Sequence, residues 1–591
     1  MKRLVFVLAT IGLISCESVP EEKSEVFKTY FELTEEQETP PYGEVISFYI
    51  ELAREFSSIN IQTMGETDSG QPLHIVTYNP EADFNFQRIR EDKLILLINN
   101  GIHPGESDGI DASMMLFRDF AMEKIKAPEG TVVVTIPVYN IGGALNRNSS
   151  TRVNQNGPIE YGFRGNARNY DLNRDFIKND TRNAQSFARI YHLLQPDVFI
   201  DTHVSNGADY QYTLTHLFTQ HNKLGGELGR FVDNTFRPEL EVALSEQGWD
   251  MTPYVNVFNR SPREGFSEFF DHPRYSTGYT ALWHTLGFMI ETHMLKPYPK
   301  RVWGTYEVLR QAITLSDQHK DTIRELRRNM SERVKSLSHY PIRWALDSTK
   351  ISRLNFKGYE SEMVTSSVTG LQRLKYDRSK PYTSFVPFYD GYKSVDSISI
   401  PEGYVIPKGW EHILDFMSTN GIEAQVISKD TLMELEVYTI DSYGTYSSAY
   451  EGHYPHYNTQ VVPQVKRVEV KAGDHYISTD QPGIRYLLET LEPGANDSFF
   501  NWNFFDVILQ QKEGFSPYVF EDLAYEFLQT HDSIAKTFEQ KKEEDEDFRL
   551  NAYAQLKWIY ERTEHYEKAY RQYPVYRVPR AKSEESSLIT K

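Results

Sequence analysis

In the segment Asn99-Asn100-Gly101-Ile102-His103-Pro104-Gly105-Glu106 an imidazole and a carboxylate stand three residues apart, directly after the apolar run 94–98. Pro104 and Gly105 disfavour a regular helix between them, so a chain leaving a strand here must turn, and the turn can aim both side chains at one point. Zinc takes His nitrogen and carboxylate oxygen at about 2.0 Å, and a catalytic zinc uses three protein ligands with a fourth position left to water. The pair is therefore half of a metal site that needs a third ligand. In a chain with 17 His and 83 acidic residues such pairs also arise by chance. A second one, His412 and Asp415, falls in an amphipathic stretch, residues 410–417, that reads as a solvated helix face.

Two further apolar runs end on polar groups. Asp197-Val198-Phe199-Ile200-Asp201-Thr202-His203 reads as a short buried strand running into a His, and Leu286-Gly287-Phe288-Met289-Ile290-Glu291-Thr292 as another running into a Glu. In open α/β sheets the carboxyl ends of strands from distant parts of the chain converge on one edge, where ligands bind. The segment Arg164-Gly165-Asn166-Ala167-Arg168-Asn169-Tyr170-Asp171-Leu172-Asn173-Arg174 adds guanidinium forks that suit a carboxylate. The chemistry such a set supports is metal-assisted amide hydrolysis. The metal lowers the pKa of its water toward about 7 and polarises a carbonyl, and a nearby Glu takes the water's proton and passes it to the leaving amine. Two His and one carboxylate could also hold iron or another divalent ion, so zinc rests on ligand type.

In order and spacing these segments resemble the zinc carboxypeptidase family, M14, over about residues 41–300. The resemblance implies His103, Glu106 and His203 as ligands of one zinc ion, and Glu291, at the end of a strand like the family's Phe-x-Ile-Glu, as the general base. Asp171-Leu172-Asn173-Arg174 is similar to the family's Asp-Leu-Asn-Arg. This implies that Asn173 and Arg174 hold the substrate's terminal carboxylate and that Asp171 orients the first zinc His. Docking a free α-carboxylate on Arg174 would place the final amide at the metal and make an exopeptidase. Arg164, ten residues before Arg174, has the spacing of the arginine that polarises the scissile carbonyl, with Arg168 and Arg152 as alternatives. One such donor contributes about 3 kcal/mol. For the family's mobile tyrosine, Tyr279 is placed narrowly ahead of Tyr275, both in His272-Pro273-Arg274-Tyr275-Ser276-Thr277-Gly278-Tyr279, where a packing role is equally open. Met64-Gly65-Glu66 followed by Ser69-Gly70-Gln71-Pro72-Leu73 resembles the family's early hairpin, with Gln71 in place of Arg. Two departures bear on the substrate: Asp175 follows Arg174 where many members have Asn, and Val204-Ser205 follows His203 in place of Ser-Tyr.

The elements that must position these residues give an α/β fold class, with a mixed, mostly parallel sheet sandwiched by helices and then a smaller α+β C-terminal region. At 591 residues the chain far exceeds one domain of about 100–200. The expected division is a signal peptide over 1–16, an acidic tether over 17–40, the peptidase-like unit over 41–340 and the C-terminal region over 341–591. Residues 303–337 predict one or two long helices closing the first unit. Pro401-Glu402-Gly403-Tyr404-Val405-Ile406-Pro407, an amphipathic helix and Glu423-Ala424-Gln425-Val426-Ile427 predict a β-α-β unit. Residues 438–457, dense in aromatics with Gly and Ser, read as a loop or irregular hairpin, and 480–570 as mostly helical. This half resembles C-terminal regions found beside M14 domains in Bacteroidetes-like lipoproteins.

Met1-Lys2-Arg3 and the apolar run 4–14 read as a secretory signal, and Leu13-Ile14-Ser15-Cys16 resembles a bacterial lipobox, which implies lipidation at Cys16. Cys16 is the only Cys, so no internal disulfide forms. The net charge of −20 argues against nucleic acid as a partner. Beyond the N-terminus no apolar run approaches the roughly 20 residues of a membrane span. Membrane contact is therefore expected through lipidated Cys16 only, with the enzyme outside the cytoplasm on the outer-membrane, periplasmic or surface side. Three functions follow: a lipid-anchored zinc carboxypeptidase acting on peptides with a free C-terminal carboxylate, a zinc amidase or peptidase acting on cell-wall peptides, or a lipoprotein that binds peptide or glycan without cutting it. The third predicts damage to the ligands or to Glu291, and all four residues are present.

Overall fold

The apolar runs become the interior of one eight-stranded sheet in the computed structural model, which describes residues 27–580. The signal segment and Cys16 lie outside the described residues. β1 (Ile59–Glu66), β2 (Pro72–Tyr78), β3 (Leu94–Asn99), β4 (Thr131–Ile136), β5 (Val198–Ser205), β6 (Leu214–Phe218), β7 (Met251–Pro253) and β9 (Leu286–His293) lie in the order β1-β2-β4-β3-β5-β9-β6-β7, and β8 (Phe266–Ser267) belongs to a different sheet. β4, β3, β5 and β9 are mutually parallel, β1 and β2 run antiparallel at one edge, and β6 is antiparallel to β9. This is the mixed, mostly parallel sheet expected from the sequence. Every residue of β3, β4 and β5 is buried, as strands covered on both faces require. Leu94, Leu96 and Ile98 enter a core with helices Tyr42–Glu55, Asp108–Ala121 and Tyr298–Gln318, whereas Ile95 and Leu97 enter a second core with helix Arg182–Leu194.

Helices Tyr298–Gln318 and Lys320–Ser336 close this unit where the sequence predicts them. Beyond it, β10 (His339–Leu346) pairs with β13 (Tyr392–Ser399). β11 (Ser352–Thr365) and β12 (Gln372–Tyr389) form a long hairpin whose base pairs with β8. β14 (Gly403–Ile406), helix His412–Thr419 and β15 (Gln425–Val426) make the expected β-α-β unit, with β18 (His475–Ser478) inserted between its strands. β16 (Thr431–Thr445), β17 (His456–Val470) and β19 (Tyr576–Val578) complete a six-stranded sheet, and helices Pro517–Thr530, Asp532–Glu544 and Ala552–Tyr560 form a small cluster of their own. The halves share a core: one cluster runs from Ile95 and Leu97 through Tyr191 and Tyr279 to Tyr404, Ile413, Tyr486 and Leu487.

Residues 27–40 depart from the expected solvated tether. Phe31 is fully buried with its ring 5.7 Å from Tyr298, Thr29 closes a capping box on helix Tyr30–Leu33, and the Glu32 carboxylate pairs with buried Arg118. Acidic composition reads as solvation, yet two phenylalanines four apart, Phe27 and Phe31, supply an apolar face that outweighs it. Among the described residues no helix is long and apolar enough to cross a membrane.

Helix Asp108–Ala121 starts two residues after Glu106 and is buried along its whole length. At Gly109 a Cβ would stand 2.0 Å from Thr202 Oγ1 and 2.6 Å from Asn100 Oδ1. The missing side chain lets the helix start seat directly on β5 beside His203. Helix propensity alone makes Gly109→Ala stabilising by about 0.5–1 kcal/mol. The close approach reverses that sign, and we expect the variant to lose about 1–3 kcal/mol in urea unfolding. A stabilised variant would refute the account of this contact.

Candidate metal centre

Three carboxyl ends of parallel strands meet at one edge of the sheet. β3 stops at Asn99, and Gly101, at φ +66°, turns the chain so that His103 and Glu106 face back over the edge. His203 and Glu291 are register partners on neighbouring strands β5 and β9, which sets a ligand and the expected base side by side. The ligand atoms of His103, Glu106 and His203 lie within 4.8 Å of one another, and all three side chains are buried.

Both imidazoles are held from behind. His103 Nε2 bonds Asp171 Oδ1 at 2.9 Å and His203 Nε2 bonds Asp201 Oδ2 at 2.9 Å. Proton donation to these carboxylates leaves each Nδ1 lone pair facing Glu106, from which they stand 3.3 and 3.1 Å. His103 Nδ1 is buried without a hydrogen bond of its own. Two inward Nδ1 atoms, one of them orphaned, and a carboxylate between them fit a divalent ion of the zinc type.

Burial alone would raise the Glu106 carboxyl, but His103 and Arg152 beside it outweigh that and hold the group well below its usual range. Burial likewise opposes ionisation of Asp171, and His103, Arg164 and Arg174 pull it down. Glu291 behaves oppositely: burial, with Glu106 and Asp201 adding to it, pushes it up to about 7. A carboxyl near neutrality is suited to both accepting and returning a proton.

His103, Glu106, His203 and Glu291 line a cleft of about 430 Å³ that also holds Arg152, Arg164, Asn173 and Arg174. Arg152 Nη2 donates to Glu106 Oε1 at 2.9 Å, while Arg164 contacts Asp171 through Nε at 3.0 Å and reaches Glu106 at 3.6 Å. Arg168 turns away to Asp68 and the Tyr170 ring, which removes it as an alternative. Arg174 lies over the Tyr275 ring at 4.7 Å, and Asn173 Oδ1 accepts the Ser276 N–H. Asp175 is fully buried beneath, bonded to Lys178 and Thr181, and does not line the cleft.

No protein-family model and no curated protein matches the chain. Among solved structures, a metallo-carboxypeptidase from Burkholderia cenocepacia aligns with 47% of this chain and 68% of its own, at 16% identity and a TM-score of 0.35. Carboxypeptidase A from Helicoverpa armigera aligns with 50% of this chain and 81% of its own, at 12% identity and a TM-score of 0.36. Bovine thrombin-activatable fibrinolysis inhibitor, in complex with tick carboxypeptidase inhibitor, aligns with 48% of this chain and 97% of its own, at 13% identity and a TM-score of 0.34.

Tyr279, expected at the substrate, is instead fully buried in the shared core, its hydroxyl donating to Asn420 Oδ1 at 2.6 Å. Tyr275 is the N-cap, in extended backbone, and lines the cleft, whereas Tyr279 lies inside the helix Ser276–Thr280, which is buried throughout. Tyr254 lines the cleft as well and was invisible in the sequence, since nothing in its neighbourhood carries a pattern. Asp201 was equally overlooked, although its position two before His203 on a strand puts both side chains on one face. It takes the His203 ring and the Ser276 hydroxyl together. Asp201→Asn is expected to weaken zinc affinity about 10–100-fold in chelator competition while the fold persists. Unchanged affinity would show that the carboxylate does not orient His203.

Proposed function

We propose that the chain is a zinc-dependent metallocarboxypeptidase that removes the C-terminal residue of peptides outside the cytoplasm. The observation that carries this reading is the pair of inward Nδ1 atoms of His103 and His203 around Glu106, beside Glu291 and across one cleft from Arg174. Zinc held by His103, Glu106 and His203 would acidify a water and polarise an amide carbonyl. Glu291 takes the proton of the attacking water and returns it to the departing amine. Arg152 and Arg164, both beside Glu106, supply donors to the carbonyl oxygen as charge develops there. Arg174 and Asn173 hold the terminal carboxylate, which fixes the last amide as the one cut. Cys16, through its lipobox-like setting, would anchor the enzyme to a membrane surface.

The cleft also supports a side-chain class. Met289 lies two before Glu291 on β9 and pairs with Leu217, and Phe269 packs edge-on against Tyr275 at 5.1 Å. A terminal side chain seated between Arg174 and Glu291 meets these apolar groups, where an unpaired charge would be costly. Apolar and aromatic C-terminal residues are therefore expected to be removed at least about tenfold more efficiently than Asp or Lys. Asp175, which made a cell-wall substrate attractive, lies outside the cleft, so the ordinary peptide reading is favoured.

The test is mass spectrometry of a mixed pool of free-acid, C-terminally amidated and cell-wall peptides, with and without chelator. Loss of single residues from free-acid peptides alone, stopped by chelator, supports the reading. Cleavage confined to cell-wall peptides, or none with metal bound, overturns it. Glu291→Gln should keep its metal and lose a factor of about 100 or more in hydrolysis. Hydrolysis at the parent rate would remove Glu291 as the base.

A further inference from the structure

Between β16 and β17 the aromatic segment folds back on the cleft. Tyr450 and His453 exchange backbone hydrogen bonds of 2.8 and 3.1 Å around Glu451 and Gly452, whose φ values are +49° and +80°. This is the two-residue turn with both central residues left-handed. Glycine adopts that conformation freely, whereas Glu451 holds it against its own Cβ.

All four residues touch the segment that carries the carboxylate clamp. The Tyr450 hydroxyl is an electrostatic neighbour of the Arg174 guanidinium. Glu451 Oε2 accepts the backbone N–H of Asp171 at 2.8 Å. A Cβ at Gly452 would stand 2.7 Å from the Tyr170 hydroxyl, and His453 Nε2 bonds Asp180 Oδ2 at 2.6 Å. Behind the turn, Trp502 stacks on Tyr450, and Arg274, paired with Asp497 at 2.7 Å, lies over Trp502.

We propose that this turn is a positioning element of the cleft, in which Tyr450 and Glu451 fix Arg174 and the backbone at Asp171 where a substrate's terminal carboxylate docks. The C-terminal region thereby completes the preference for free C-termini. The proposal rests on the carboxypeptidase reading. Arg174 otherwise has its own chain's Asn173 carbonyl at 2.8 Å, the Tyr275 face and Asp171 at 3.9 Å. None of these keeps its fork aimed at an incoming carboxylate, and a guanidinium held in place loses less freedom when it binds. Glu451 accepts strain in its backbone and presents a carboxylate to one N–H next to the clamp, which is the pattern of a residue kept for position.

The experiment uses the full-length, zinc-loaded protein carrying Glu291→Gln, so that calorimetry reads binding without turnover. A peptide with a free C-terminus is compared with its amidated twin. Tyr450→Phe and Glu451→Ala are expected to lower the free-acid over amide preference about five- to tenfold, with zinc content unchanged. Glu451→Gln, which keeps an acceptor oxygen, should restore the preference. On the active background the same two variants should raise KM by a similar factor and leave kcat within about twofold. Unchanged preference in both variants overturns the proposal. So does a loss that falls equally on acid and amide, which would mark the turn as general scaffolding. A parent that binds both peptides alike would overturn the carboxypeptidase reading itself, and with it this proposal; that outcome is seen before any turn variant is compared.

Discussion

A carboxylate buried at the edge of a parallel sheet has to be surrounded, and the placement of Glu106 follows from that demand. It is 3% exposed. An unpaired charge at such depth costs several kcal/mol. Its oxygens are met by the His203 ring, the Val204 N–H, Arg152 and, at 3.3 Å, His103. These partners come from β5, from the loop after β3 and from the loop after β4, so one charge ties together segments distant in sequence. Helix Asp108–Ala121 begins just beyond it, and Asp108 bonds both Arg301 and Thr292, the neighbour of Glu291. The loop of His103 and Glu106 and the strand end at Glu291 are thus joined by a short hydrogen-bonded path.

The same logic explains which parts of the site could be read beforehand. His103, Glu106, His203 and Glu291 follow apolar runs whose burial is dictated by composition, so the strand ends, and hence the meeting point, were legible. Asp171, Asn173 and Arg174 were legible because they stand in one contiguous motif. Tyr279 and Tyr275 were not separable, because choosing between them requires knowing where the helix Ser276–Thr280 starts and that Asn420, 141 residues along the chain, takes the Tyr279 hydroxyl. The tether failed for a related reason. Among its described residues Glu32 is paired with Arg118, and no local pattern announces a partner so far along the chain.

The C-terminal half is bound to the half that holds His103, Glu106 and His203 by polar as well as apolar contacts. Lys178 is buried between Asp175 and Asp180, and Asp180 is reached in turn by His453 from the β16–β17 connection. Asp175, which follows Arg174, is therefore neutralised within the fold, and Asp180, which shares the neutralising Lys178, is itself held from the other half. Arg485 extends the pattern from another direction, donating to the carbonyls of Ala281 and Lys223. A sequence division at residue 340 marks a change of composition, whereas the contacts cross it freely.

Electrostatic commitment separates the three cleft arginines. Arg152 gives a nitrogen to Glu106 at 2.9 Å, and Arg164 gives two to Asp171 at 3.0 and 2.9 Å, so both are engaged with carboxylates beside the ligands. Arg174 is less committed, its nearest carboxylate standing at 3.9 Å. A guanidinium already matched by an acid keeps single N–H donors but no free fork for a second carboxylate, while one facing an aromatic ring and a carbonyl keeps its fork available. The chain as a whole carries −20 charges, and fields from exposed acids decay over about 8 Å at physiological salt. Of the three, Arg174 is therefore the one whose donors an anion entering the cleft would meet least engaged, a difference set by the local pairing distances and not by the field of the whole chain.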